Sequence, residues 1–273
     1  MNPRSNHPVY DRRRALAVLG GGIGTLVIAA CSGDESSTAS STMTGGDNGS
    51  MPTTANTDVV DPDSAPECAP IPEETAGPFP GDGSNGPDVL SIEGVERRDI
   101  RTSIGNATGS ASGLKLTIEL TVVDSSNGCK PLPGAAVYLW HADSVGRYSM
   151  YSNGVTAENY LRGVQVTDAD GNLSFVSVFP GCYEGRWPHV HFEVYASMDD
   201  LKLGNPLATS QLAFPEAACS VAYTTDGYED SAPKLSRVSL ESDLAFRDGF
   251  SGQLAVVSGD ITEGFTASLT VVV

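Results

Sequence analysis

The residues with the clearest chemical potential are two histidines, His189 and His191, in a run that alternates polar and apolar side chains. Such alternation favours a strand, and residues i and i+2 of a strand point to the same face. Both imidazoles can therefore reach one metal ion, and imidazole suits iron, copper, zinc and nickel. A single histidine would more readily be interpreted as a buried core residue, but this spacing behind Arg186 favours a metal site.

Two tyrosines narrow the choice of metal. Tyr183 precedes the histidines in a Pro-Gly turn, and Tyr148 lies further upstream in the run Gly146-Arg-Tyr-Ser. A free phenol has a pKa of about 10, and a bound trivalent cation would lower it strongly. Tyrosinate is a hard anionic donor, so two tyrosines beside two histidines predict ferric iron. Taken one at a time, each tyrosine is more simply explained by aromatic packing at the edge of a sandwich.

The balance of charge excludes two classes of partner. The chain has 34 acidic and 16 basic residues and a formal charge of −18 at pH 7. Proteins that bind nucleic acid present basic surfaces, and electrostatic docking on anionic lipid also depends on Lys and Arg. We therefore expect no nucleic-acid partner and no electrostatic binding to a membrane.

The N-terminal region has the composition of an export signal followed by a linker. The charged run Asp11–Leu16 contains a twin arginine, and an apolar stretch follows that ends in the lipobox-like run Ile28-Ala-Ala-Cys31. We predict a twin-arginine lipoprotein signal peptide over residues 1–30 and a cell-surface or periplasmic protein anchored at Cys31. A plain signal peptide with an incidental cysteine is the alternative. Residues 31–66, rich in Ser, Thr and Gly, are predicted to form a disordered tether.

Four further cysteines predict disulfides, because an even number in an exported chain favours pairing. Three pairings are possible, and proximity in the sequence favours Cys68–Cys129 and Cys182–Cys219. Four buried thiols are the alternative.

Residues 67–273 are predicted to form one all-β domain, a β-sandwich of transthyretin- or immunoglobulin-like topology with long loops. Apolar and polar residues alternate along several runs, and Asp168–Gly171 predicts a hairpin turn. Helical periodicity is scarce, with one possible turn at Glu241–Ala245, and the lack of a long helix favours a monomer. The predicted strands are Leu114–Val122, Ala135–His141, Val164–Thr167, Leu173–Val178, Trp187–Tyr195, Gln253–Val257 and Phe265–Val273.

A series of motifs resembles the intradiol ring-cleavage dioxygenases, and most closely their exported branch similar to the protocatechuate 3,4-dioxygenase β subunit. The resemblance covers residues 67–273. Pro131-Leu-Pro-Gly and Thr167-Asp-Ala-Asp-Gly are weak signals, because other transthyretin-like sandwiches share them. The two tyrosines together with Arg-x-x-His-x-His are strong. The motifs are Asn127-Gly-Cys-Lys-Pro-Leu-Pro-Gly, Gly146-Arg-Tyr-Ser, Tyr160-Leu-Arg-Gly, Phe179-Pro-Gly-Cys-Tyr and Arg186-Trp-Pro-His-Val-His-Phe.

The resemblance implies a ligand set, a substrate and a reaction. Arg186 would lie beside the substrate ring and Gln211 near it, while Tyr183 would be both a ligand and the catalytic base. The loop containing Thr75-Ala-Gly-Pro-Phe79 would lie at the pocket mouth. The partners would be a small aromatic diol and O2, and cleavage between the two hydroxylated carbons would give a cis,cis-muconate-type diacid. The implied Fe(III) ligands are Tyr148, Tyr183, His189 and His191.

The sequence departs from the family pattern beside Tyr183. Cys182 occupies a position where an aromatic residue is more usual, and only two residues separate Tyr183 from Arg186. The short connection predicts a more open pocket and leaves the identity of the diol open. Trp140 and His141 are expected to be core residues or to support the ligands.

Two other functions fit part of the sequence. A surface-tethered, transthyretin-like binding module would share the sandwich and the acidic surface, but it would not require both tyrosines and both histidines. A zinc hydrolase would use the His-x-His pair, but no third ligand and no general base are evident.

Overall fold

The computed structural model describes residues 68–273, which form a two-sheet β-sandwich. The strands are β1 (Lys115–Asp124), β2 (Lys130–Pro131), β3 (Ala136–Trp140), β4 (Arg162–Val166), β5 (Asn172–Val178), β6 (His189–Tyr195), β7 (Ala208–Ala213), β8 (Val256–Asp260) and β9 (Gly264–Val272). One sheet has the order β2-β1-β9-β8, with β5 also paired to β1, and the other has the order β4-β3-β6-β7. The predicted all-β sandwich is confirmed.

Strand β1 illustrates why the sheets pack together. Leu116, Ile118, Leu120 and Val122 are buried on one face, while the residues between them are more exposed. This face meets the inner side of β6, formed by Val190, Phe192 and Val194, in one apolar core. Alternation in the sequence therefore identified the inward face of both strands correctly.

The predicted hairpin at Asp168–Gly171 is wrong. The turn itself forms as expected, since the Asp168 carboxylate accepts hydrogen bonds from the backbone of Asp170 and Asn172. The strands that flank it nevertheless lie in different sheets, because β4 pairs with β3 and β5 pairs with β1. Turn residues show where the chain reverses, but not which partner each strand takes.

The outer face of β6 is buried as well. It carries His189, His191, Glu193 and Tyr195, each less than 9% exposed. A second cluster of buried residues covers this sheet and includes Tyr138, Trp140 and Tyr148. Long loops thus enclose the outer face of the four-stranded sheet, and the candidate site lies beneath them.

Helices contribute little to the described part of the chain. They are α1 (Met198–Leu203), α2 (Glu216–Ala222) and α3 (Ser231–Leu235), with 3-10 turns at Ser125–Asn127 and Leu240–Ser242. The three short helices were not predicted from the sequence. A turn does form close to the predicted position Glu241–Ala245, but it lies at Leu240–Ser242. Among the described residues, no helix is both long and apolar enough to cross a membrane.

One predicted disulfide is confirmed and the other is wrong. Cys68 and Cys129 are bonded, whereas Cys182 and Cys219 are free, buried thiols. Both free cysteines pack as small apolar groups within the main core. The predicted pairing failed because proximity in the sequence does not show whether two side chains point toward each other. The predicted signal peptide, lipid anchor and tether lie outside the described residues.

Candidate metal centre

Four potential donor atoms meet on the outer face of β6. The Tyr148 oxygen lies 3.3 Å from the Tyr183 oxygen and 3.4 Å from His189 Nε2. His189 Nε2 lies 3.2 Å from the Tyr183 oxygen and 3.1 Å from His191 Nε2. The fold therefore brings together all four residues predicted as ligands, although they come from three separate segments of the chain.

The two histidines are oriented differently. His189 Nδ1 lies within hydrogen-bond distance of the Trp187 carbonyl oxygen, which assigns the proton to Nδ1 and turns the Nε2 lone pair toward the cluster. The His191 ring is stacked on Trp140, with centroids 5.1 Å apart and planes 3° apart. In the described part of the chain His191 Nδ1 has no hydrogen-bond partner, so packing rather than a hydrogen bond orients this ring.

Tyr148 lies on a turn that a buried arginine holds in place. Arg162 donates to the Ser149 hydroxyl at 3.1 Å and to the Ser149 carbonyl at 3.0 Å. The next residue, Met150, has a φ of +71°, which is uncommon for a residue other than glycine. The ring of Phe79 lies 5.1 Å from the Tyr148 ring. Tyr148 is only 2% exposed and is held from several sides.

Tyr183 is the more accessible of the two phenols. It is partly exposed and lies in the loop between β5 and β6, against Gly146. A Cβ atom at Gly146 would be 2.9 Å from the Tyr183 Cβ, and its φ is +86°. Glycine is therefore required here both for the backbone conformation and for the close approach of the two tyrosine-bearing segments.

The N-terminal loop covers the site from another side. A Cβ atom at Gly77 would lie 3.2 Å from His191 Cε1, so the backbone of this loop passes directly over the imidazole. The Gln211 amide donates to the Thr75 carbonyl at 3.0 Å, and the Tyr138 hydroxyl donates to the Pro80 carbonyl at 2.5 Å. The loop predicted to lie at the pocket mouth is thus in contact with the site.

Arg186 and Gln211, the two predicted catalytic residues beside the ligands, are hydrogen-bonded to each other. Arg186 Nη2 donates to Gln211 Oε1 at 2.6 Å, and Nη1 lies 3.5 Å from the Tyr183 oxygen. Arg186 Nε donates to Asp243 Oδ2 at 2.9 Å. Asp243 was not predicted from the sequence, because the possible helical turn at Glu241–Ala245 carries no recognised motif and gives no sign of a distant arginine partner.

The electrostatic surroundings keep all four donors neutral in the absence of a cation. Burial raises the pKa of Tyr148 well above its usual value, and the neighbouring Tyr183 raises it further. Burial also raises the pKa of Tyr183, although Arg186 opposes this effect. Burial is the main cause that lowers the pKa of His189 and His191. The site therefore presents two imidazole lone pairs and two phenols that a strong cation could ionise.

The donor geometry fits a metal ion. Donors about 2.0–2.1 Å from a transition metal and about 90–110° apart are separated by about 2.9–3.4 Å, which matches the separations of 3.1–3.4 Å seen here. Among residues 68–273, no group of three His, Cys, Asp or Glu side chains is arranged to hold a metal. The further donors that lie beside His189 are the tyrosine oxygens, which favours a tyrosine-containing site over the zinc hydrolase alternative.

Trp140 and His141, at the C-terminal end of β3, lie near the site but are not among the four donors. Trp140 is buried and stacks on His191, as described above. His141 Nε2 lies 2.6 Å from the Ser177 hydroxyl oxygen, outside the donor cluster. Burial lowers the pKa of His141 to about 4, so this histidine is a neutral core residue. This agrees with the sequence prediction for both residues.

Comparison with known proteins shows which family the chain resembles. A family described as "Dioxygenase" matches residues 86–217, which contain the four donors together with Arg186 and Gln211. The fold is similar to that of an intradiol ring-cleavage dioxygenase from Tetranychus urticae, with a TM-score of 0.59, 26% identity, and coverage of 75% of this chain and 94% of that one. The chain is therefore similar to the intradiol ring-cleavage dioxygenases, both in a sequence match over just under half of its length and in its fold.

Curated catechol dioxygenases match over a shorter segment. Catechol 1,2-dioxygenase 2 of Acinetobacter lwoffii is 44% identical over 54 residues, which are 20% of this chain and 19% of that enzyme. Catechol 1,2-dioxygenase of Candida albicans is 41% identical over 54 residues, which are 20% and 18% of the two chains. The chain thus spans about a fifth of the length of the curated relatives it matches. Asp243 and the N-terminal loop lie outside the family match at residues 86–217.

Proposed function

We propose that the protein is a non-haem ferric dioxygenase that cleaves a catechol-type diol between its two hydroxylated carbons. Both atoms of O2 would enter the product, a cis,cis-muconate-type diacid, so that diol and O2 balance the product without a further reductant. The observation that carries this proposal is the convergence of two phenols and two imidazoles within 3.4 Å of a neighbouring donor. Hard anionic donors of this kind favour ferric iron.

The four donors would hold the ion, and the protein would manage the protons of the substrate. When bound, Fe(III) would bind both oxygens of the diol and make its ring reactive toward O2. Tyr183 is the donor placed to move, because it is partly exposed while Tyr148 is buried on a constrained turn. As a phenolate in a site that raises its pKa, Tyr183 would accept a proton from one substrate hydroxyl at its own oxygen.

Arg186 and Gln211 would orient the ring and stabilise negative charge that develops on it. The two side chains are joined by a 2.6 Å hydrogen bond, and Arg186 Nη1 lies 3.5 Å from the Tyr183 oxygen. Preorganised donors of this type typically contribute about 3 kcal/mol to transition-state stabilisation.

The surroundings of Tyr183 favour diols that carry substituents on the ring. Glu184 and Gly185 alone separate Tyr183 from Arg186, and both are exposed. Two exposed apolar side chains, Val145 and Leu244, lie on the segments that contact Tyr183 and Arg186. The short, exposed connection beside Tyr183 leaves room for substituents on the ring, and the relatives named above as catechol 1,2-dioxygenases support a catechol core. We further propose that the protein belongs to the exported branch similar to the protocatechuate 3,4-dioxygenase β subunit, on the motifs over residues 67–273. On the N-terminal sequence alone, we propose that it is anchored at the cell surface through Cys31.

Oxygen uptake by the iron-replete protein with a panel of catechols tests the function. We expect uptake of one O2 per diol and a colourless diacid product; a yellow semialdehyde would instead indicate cleavage beside the diol. Absence of uptake together with absence of bound iron would support the alternative of a non-catalytic binding module.

A further inference from the structure

A fully buried carboxylate in the C-terminal part of the chain holds the arginine of the candidate site. Asp243 has no exposed surface, and its Oδ2 accepts a hydrogen bond from Arg186 Nε at 2.9 Å. The Arg186 side chain is itself only 10% exposed. Charge-assisted hydrogen bonds of this kind, shielded from water, are directional and strong.

The three nitrogen atoms of the guanidinium have three different partners. Nε is bonded to Asp243 and Nη2 to Gln211, while Nη1 faces the Tyr183 oxygen at 3.5 Å. A planar group held at two of its corners cannot rotate without breaking one of these bonds. The direction of Nη1 is therefore set by Asp243 and Gln211, not by Tyr183.

Asp243 also ties its own segment to the strand that bears the ligands. Its Oδ2 accepts from the Trp187 backbone at 2.7 Å, and Oδ1 accepts from the Ala245 backbone at 2.8 Å. Further along the same segment, the Phe246 ring lies 6.4 Å from the His189 ring in an edge-on arrangement. One short segment thus contacts both the arginine and one of the histidines.

We propose that Asp243 is a positioning residue, which holds Arg186 so that Nη1 faces the oxygen of Tyr183 and the reacting diol. The inference rests on the proposed dioxygenase function only for its catalytic consequence, since the orientation of Arg186 is a property of the protein alone. Asp243 touches no reacting atom, and among its partners Arg186 is the side chain that faces the Tyr183 oxygen. Removal of its charge would leave a buried guanidinium without its counter-ion, free to turn toward other acceptors.

Asp243→Asn tests the catalytic consequence. We expect kcat to fall on the order of 10²-fold, as for other misplaced catalytic groups, with a smaller change in KM. The same substitution in an Arg186→Met background should cause a much smaller loss, because the residue through which Asp243 acts is already absent and only the bond to the Trp187 backbone is still affected. Asp99→Asn, which breaks an exposed Asp–Arg pair, is the matched control and should leave kcat unchanged. An equal loss from Asp243→Asn in the two backgrounds would overturn the proposal.

A measurement on the unaltered protein does not depend on turnover or on how the variants fold. In NMR spectra of the iron-free protein, the Arg186 Nε–H should exchange slowly with solvent, whereas that of Arg101, bonded to the exposed Asp99, should exchange fast. Fast exchange at Arg186 would contradict the proposed pairing even if the protein is an active dioxygenase. Conversely, slow exchange without any oxygen uptake would refute the proposed function and leave the pairing intact.

Discussion

Trp140 lies parallel to His191, with the two ring planes 3° apart and the centroids separated by 5.1 Å. On its other face Trp140 stacks on Tyr138, with centroids 4.8 Å apart. Three aromatic rings from β3 and β6 are thus stacked in succession beside the candidate metal centre. Because His191 Nδ1 has no hydrogen-bond partner among residues 68–273, this stack replaces the hydrogen bond that usually orients a metal-binding histidine.

Trp140→Ala should therefore weaken metal binding as well as the fold. We expect iron affinity to fall about 10–100-fold, as when other supports of a metal ligand are removed, and stability to fall by about 3–5 kcal/mol. Trp140→Phe keeps an aromatic face and should retain most of the affinity. Iron retention against a chelator, measured where both variants are folded, checks the prediction. Equal retention by the Ala and Phe variants would show that the stack does not orient His191.

Gly146→Ala should disturb Tyr183 directly. The new methyl group would lie 2.9 Å from the Tyr183 Cβ at a residue whose φ is +86°. Gly227→Ala is a matched control, with a φ of +90° and no atom within 4 Å of the added carbon. The backbone cost should be about 1–2 kcal/mol at either position, whereas Gly146→Ala should cost more and also shift the visible absorption of the iron-loaded protein. Denaturant unfolding and absorption spectra, if identical for both variants, would refute the proposed close contact.

The sequence predicted the parts of the site that have a regular spacing or a recognised motif. His189 and His191 follow from the period of a strand, and the tyrosines, Arg186 and Gln211 from the resemblance. Asp243 was not predictable, because a long-range hydrogen bond to an arginine leaves no pattern in an irregular segment. The hairpin was wrong for the related reason that strand partners are set by tertiary packing rather than by the turn.

Tertiary packing also determines the state of Cys182 and Cys219, which are buried as free thiols. Burial raises the pKa of Cys182 to about 12 and raises that of Cys219 well above its usual value, so neither thiol is reactive in the folded protein. Alkylation followed by mass spectrometry should modify both residues only after unfolding. Modification of the native protein, or recovery of a peptide in which Cys182 is bonded to Cys219, would contradict the structure.

The raised pKa of Glu74 should make the stability of the protein depend on pH. Burial raises its pKa to about 7, a hydrogen bond from Gln253 opposes this, and the neighbouring Asp248 adds to it. Since the folded state holds this proton more tightly than the unfolded chain, its stabilising contribution is complete below about pH 4.5 and is lost as the pH rises through about 7. Glu74→Gln should therefore gain stability relative to the unaltered protein between these values.

Paired denaturant titrations of the two proteins at pH 4.5, 6 and 8 would measure this difference. Glu73→Gln, which removes an exposed carboxylate from the same loop, serves as the control for a simple change in net charge. A difference between Glu74→Gln and the unaltered protein that does not vary with pH would refute the assignment.

The central claim is that Tyr148, Tyr183, His189 and His191 hold one ferric ion, and the visible spectrum of the purified protein with its iron content tests it most directly. We predict one iron per chain and a red-brown colour from tyrosinate-to-iron charge transfer, part of which Tyr183→Phe removes. A protein that binds iron in this ratio but is colourless, or whose colour is unchanged in Tyr183→Phe, would contradict the assigned ligands.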